Sequence, residues 1–142
     1  MEDLFAAEGL ILARLRTQVA AFRLVAGARE LKSIPAGTGT TPALYLVADG
    51  FQPLGSAGGE QALEPLWLAV VAVRHGRQVA DGAGERQEAG PLLAAVCQAL
   101  IGWQPADGYA PMRLVTTPGA LFTDGLALFP LRFATRLRVG GG

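Results

Sequence analysis

The run PLWLAVVAVRH, residues 65–75, constrains the fold more than any other stretch of the chain. Trp67, Ala69, Val71 and Val73 fall on one face of an extended backbone, and Leu66, Leu68, Val70 and Ala72 on the other. No charge interrupts it before Arg74. The apolar part is of strand length, far short of the roughly 18 residues that span a membrane. A strand apolar on both faces belongs at the centre of a sheet with cover on each side.

The other elements arrange themselves around this strand. ALYLVAD, residues 43–49, is a second strand with two largely apolar faces. FRLVAG (22–27) and MRLVTT (112–117) are shorter candidates, and ARELKSI supplies a helical turn or two. Along residues 126–139, Phe129, Leu131, Phe133, Leu137 and Val139 alternate with Pro130, Arg132, Ala134, Arg136 and Arg138. That two-residue period predicts a strand with an apolar inner face and a basic outer face. Pro130 cannot donate to a ladder, which favours an edge or a bulge.

Two segments carry helical spacing instead. In residues 2–19, Leu4, Ile11 and Leu15 form a stripe with Phe5, Leu12 and Val19 beside it. In residues 88–101, Leu92, Leu93, Val96 and Leu100 form another that runs on to Trp103, with Pro91 read as a first-turn residue and Gly102 as the stop. The order predicts one α+β domain over residues 1–142, a mostly antiparallel sheet with two main helices packed on it. Trp67, Val71, Leu93, Val96, Cys97, Leu100, Trp103, Phe129 and Phe133 are its expected core. The glycine-rich stretches 50–63 and 76–90 read as flexible loops.

Composition removes several function classes. With 51% hydrophobic and 17% charged residues, general disorder is excluded. Net charge is zero and no basic run exists, which argues against a dedicated nucleic-acid surface and in favour of self-association. One cysteine and one histidine make neither an internal disulfide nor a zinc pattern, so neither metal nor cofactor is expected. The start, MEDLFAAEGLILARLR, is acidic first and basic later, the reverse of a secretory leader, so the expectation is a soluble protein made in a cytoplasm, with no membrane partner.

The candidates for chemistry are few. Cys97 and His75 could form a nucleophile and base, but Cys97 sits among Ala94, Val96 and Leu100 with nothing nearby in sequence to stabilise a thiolate. GTGTTP (37–42) and GSAGG (55–59) lack the Lys-Ser/Thr of a phosphate loop. The Asp-Gly pairs are ordinary turn chemistry, and nothing brings two carboxylates together. No catalytic residue is expected. The strongest signal outside the core is the row Arg132, Arg136 and Arg138, either a solvated face or a subunit contact. In the second case Glu60, Glu64, Asp81, Glu85 and Glu88 of a neighbouring copy are the candidate partners.

In order and spacing the chain resembles the tail terminator proteins of Mu-like tailed bacteriophages. The likeness rests on EGLILARL, on VAGARELKSIP followed by TPALYLVADG, on LLAAVCQALIGWQP and on ALFPLRFAT. Leu100, Gly102, Trp103 and Pro105 match the family's helix-ending Leu-x-Gly-Trp-x-Pro. The resemblance implies a structural morphogenesis protein of the virion without catalysis or cofactor. It implies a homohexameric ring at the head-proximal end of the tail tube that ends tube polymerisation and meets the head–tail connector, with genome DNA passing through. Another neck connector or minor tail protein shares these traits. A small Cys97–His75 enzyme is the rival from a different class.

Overall fold

The computed structural model describes residues 3–35, 39–75, 83–123 and 125–141. Among the described residues two α-helices, α1 (Ala7–Gln18) and α2 (Ala83–Leu100), accompany seven strands: β1 (Leu24–Ala28), β2 (Ala43–Ala57), β3 (Glu60–Arg74), β4 (Arg113–Leu114), β5 (Leu121–Thr123), β6 (Leu126–Ala134) and β7 (Leu137–Gly140). They form one sheet in the order β1-β2-β3-β6-β4, with β5 also on β6 and β7 on β3. Every pairing is antiparallel except β1 with β2. The fold is α+β, as the element order predicts.

β3 is the central strand. Residues 67–73 are all buried, and each side of the sheet has its own core. Trp67, Ala69, Val71 and Val73 meet Ile11 and Leu15 of α1 and Val96 and Leu100 of α2. Leu68, Val70 and Ala72 meet Leu126, Leu128 and Ile34 on the opposite face. Ile34 follows a short 3₁₀ turn, Leu31–Ser33, in the connection from β1 to β2. Parallel neighbours need a crossover of a dozen or so residues, and here the crossover supplies cover for the second face.

α1 is shorter than its sequence stripe. Asp3 Oδ1 accepts from Phe5 N at 2.8 Å, a local turn that competes with the helix, and Phe5 is 57% exposed. From Ala7 onward the stripe Ala7, Ile11, Leu12 and Leu15 is buried. α2 is longer than expected because Pro91 lies inside it, not in its first turn. Pro91 is exposed, so its missing N–H leaves the Gln87 carbonyl to water while Ala89, Leu92 and Val96 stay buried. Residues 83–90, read above as part of a loop, are therefore helix; residues 76–82 lie outside the described residues.

Residues 50–63 are likewise not a loop. β2 and β3 continue as a long hairpin, turning at Gly58 and Gly59, whose φ values of 58° and 84° suit a two-residue turn with both central residues left-handed. The GSAGG stretch is thus the end of β2 and its turn. β2 bulges twice, between Ala48 and Phe51 and between Pro53 and Ser56. β7 pairs with β3 along this outer half, so a three-stranded arm extends the sheet beyond its helix-covered body.

The last strand, continuous in its sequence alternation, keeps one register against β3, from Leu126 opposite Arg74 to Gly140 opposite Glu60. Its ladder breaks at Thr135–Arg136, which separates β6 from β7. The expected basic outer face is only partly so, because Leu126, Leu128, Pro130 and Ala134 on that face are buried. Pro130 is neither at an edge nor in a bulge. Its carbonyl accepts from Thr117 Oγ1 at 2.7 Å, so the side from which its donor is missing faces the gap between β4 and β5. MRLVTT contributes only the two residues of β4, and the link after it contains β5.

Candidate assembly surface

The end of α2 is fixed by a short set of contacts. Gly102 has φ 81°, the left-handed conformation that stops the helix, and its N–H donates to the Met112 carbonyl at 2.8 Å. Met112 N donates back to the Trp103 carbonyl at 2.9 Å. Arg14 of α1 donates from Nε to the Ala99 carbonyl at 3.0 Å, and its guanidinium lies 5.5 Å from the Trp103 ring centre. A cation beside the carbonyl end of a helix and over an indole is favoured twice. Arg14 thereby ties the two helices together. Trp103 is half-buried against the core, as are Leu93, Cys97 and Phe129; Trp67, Val71, Val96, Leu100 and Phe133 are fully buried.

Cys97 and His75 lie far apart. His75 Nδ1 is 3.0 Å from Glu85 Oε1, at the opposite end of α2 from Cys97. Glu85 precedes Cys97 by three helical turns, about 18 Å. Burial pushes the Cys97 thiol up from its ordinary pKa, which works against a thiolate. His75 instead packs against Phe122, with ring centres 5.3 Å apart and planes tilted by 57°. Among the described residues no three His, Cys, Asp or Glu side chains gather as metal ligands.

The arginine row does share one side of the final strand, but much of it is already paired within the chain. Arg132 donates from Nε to Asp49 Oδ2 at 2.7 Å and from Nη1 to the Thr116 carbonyl at 2.9 Å. Glu64, 7% exposed, sits 2.6 Å from Arg113 Nη2 and 3.8 Å from Arg136 Nε. These pairs stitch β2 to β6 and β3 to β4, and Arg136, in the break before β7, reaches β3 as well. Burial and an internal partner thus take up Glu64, and Glu85 is equally inside its own chain, so neither is presented to a neighbour. Arg138, Glu60 and Glu88 are exposed, and Asp81 lies outside the described residues. Sequence reading missed Asp49 and Arg113 as partners because the pairs join residues 49 to 83 positions apart.

Large apolar side chains line both lateral edges of the sheet. Leu24 of β1 and Phe51 of β2 are exposed on one edge; Leu114 of β4 and Leu121 and Phe122 of β5 are exposed on the other. An open groove of about 1120 Å³ lies between the arm (Leu54, Ala62, Arg138) and the body (Asp3, Asp107, Tyr109).

A two-layer sheet whose ionic pairs tie its own strands together, with apolar side chains left along its edges, is built like a structural subunit. The chain belongs to the phage tail terminator protein family, whose model matches residues 1–141. Its role is accordingly structural, in the assembly of a bacteriophage tail, and its place is the virion. A search among curated proteins gives no match for it. Among the described residues no helix is long and apolar enough to cross a membrane.

Proposed function

We propose that this protein forms a closed homo-oligomeric ring, a hexamer, at the head-proximal end of the tail tube. There it ends tube polymerisation and joins the tail to the neck. The family match over residues 1–141 carries the reading. Its partners are further copies of itself, the tail tube protein and the head–tail connector, met first in the host cytoplasm and then in the virion.

Two features support a ring of this kind. Five exposed apolar side chains, Leu24, Phe51, Leu114, Leu121 and Phe122, lie on opposite edges of one sheet, so a copy meeting a copy by these edges makes a head-to-tail contact. Such contacts propagate, and close into a ring if the rotation permits. The neutral chain adds little long-range repulsion against association. Arg138, Glu60 and Glu88, exposed on the subunit, extend the contact as polar rim.

Electron microscopy of the purified protein, alone and with tube protein, tests the reading. Rings that cap tubes of uniform length are expected, together with overlong tubes in a lysate lacking the protein. A monomer that leaves tube length unchanged would sink it.

A further inference from the structure

The strand registers place residues of the two sheet edges at matching heights. Leu24 of β1 is level with Ala43, Ala72, Leu128 and, at the far edge, Leu121 of β5. Both ends of that row are exposed leucines, 37% and 44% open to solvent. At the other end of β1, Ala28 is level with Val47, Leu68 and Arg132. One residue further, Ala48, Trp67 and Phe133 lead across to the exposed Leu114 of β4. The directions agree as well: β1, β2 and β6 run one way and β3, β4 and β5 the other. A copy rotated about an axis along the strands therefore sets its β1 against the antiparallel β4–β5 edge of the next, with leucine facing leucine.

Beyond these rows each edge carries charge. β1 is followed by Arg29 and Glu30 and, in the 3₁₀ turn, by Lys32, all three exposed. Ile34 is buried in the second core with Leu31 packed against it, which holds this turn to the sheet. On the opposite edge the groove starts close to the same height. Ala110 N bonds the Arg136 carbonyl three residues past Phe133, roughly 10 Å along the strand. Among the described residues β7 has no strand on its outer side, which leaves the groove reachable from that edge. Asp3 and Asp107 stand on its body wall and Arg138 on its arm wall. Among the described residues none of Arg29, Glu30, Lys32, Asp3, Asp107 and Arg138 has an ion-pair partner.

We propose that the turn 29–32 of one copy docks in this groove of the next copy. Arg29 and Lys32 meet Asp3 and Asp107 on the body wall, and Glu30 points to Arg138 on the arm wall. This rests on the ring reading above and gives its junction a height and a sense. Exposed ion pairs contribute little singly and weaken with salt. Their work here is selection: two turns brought together would set Arg29 and Lys32 against the same charges, so only turn against groove is favoured.

Lys32 is the only lysine of the chain, so carbodiimide coupling of its amine to a carboxylate gives an unambiguous product. Isotopically light and heavy protein are mixed, assembled, coupled and digested. The expected product joins Lys32 of one isotope to Asp107 or Asp3 of the other. It is absent from Lys32→Arg, which keeps the charge and assembles normally. In a second measurement, Arg29→Glu with Lys32→Glu weakens association about tenfold or more, and adding Asp3→Lys with Asp107→Lys to the same chain restores it. A ring that forms without the mixed cross-link, or that the charge reversal leaves unchanged, overturns this junction and leaves the ring reading standing. A wild-type protein that stays monomeric overturns both.

Discussion

Cys97 and Trp103 are both half-buried, one in the last turns of α2 and one just after it, and they answer to different physics. Burial raises the Cys97 pKa, so at neutral pH the folded protein holds a thiol. That preference favours the folded state below the ordinary thiol pKa and is lost as pH rises through the raised value. Alkylation in native buffer at pH 7.5 should therefore run slower than in denaturant, where burial no longer raises the thiol's pKa. Equal rates would show an exposed, reactive cysteine. Trp103 is held by contact: its ring meets the core on one side and Arg14 on the other. Trp103→Ala should cost about 2 kcal/mol, less than the roughly 3–5 of a fully buried aromatic, because part of the ring is already wet. Chemical denaturation measures it, and a loss near zero would detach Trp103 from the core.

At the scale of elements, α2 carries an internal defect. Pro91 removes one helix hydrogen bond and crowds the preceding turn, yet sits on the solvent side where no packing depends on it. Pro91→Ala should raise stability by about 1–3 kcal/mol, read as a higher midpoint of thermal unfolding. A fall would mean that the proline itself is needed for packing. This proline also shows where sequence reading stopped. Long apolar strands were legible because β3 and β2 bury both faces and so leave unbroken apolar runs. The α2 stop was legible because only glycine enters the left-handed region cheaply. The arm was not. Its residues 50–57 lie exposed or half-exposed, so no alternation of apolar and polar marks them, and ladder bonds hold what burial does not. The first turns of α2 were hidden for the same reason, with a proline in the middle of the helix and few apolar residues before it.

For the whole molecule, the arginines divide by where their partners are. Arg132 is satisfied inside the subunit by Asp49, and both side chains are about one third exposed. Arg132→Glu should destabilise the subunit by about 1–2 kcal/mol, between the values for surface and buried pairs, before any effect on assembly. Arg136 is more exposed and meets Glu64 only at 3.8 Å, so Arg136→Glu should leave the fold intact. Arg138 is the cleanest probe. Arg138→Glu should leave the unfolding transition unchanged and weaken self-association, which sedimentation at matched concentration and salt would report. Unchanged association for Arg136→Glu and Arg138→Glu alike would return that face to solvent. The candidate site was thus only half legible: the side of the strand that bears the arginines follows from alternation, whereas their intrachain acids come from strands brought alongside by the fold.

The position of β3 has a consequence for how the chain is made. Synthesis runs from the N-terminus, and β3 emerges with β1, β2 and α1 already available to it. Its other neighbour, β6, comes some fifty residues later, after α2 and the short β4 and β5. Until then one long edge of a strand that is apolar on both faces has no partner, and the second core lacks Leu126 and Leu128. Such an edge is a template for pairing with another nascent chain. The ribosome's pace over residues 75–134, and whatever holds the half-made sheet apart from its neighbours, therefore bears directly on how much of the protein reaches a competent state.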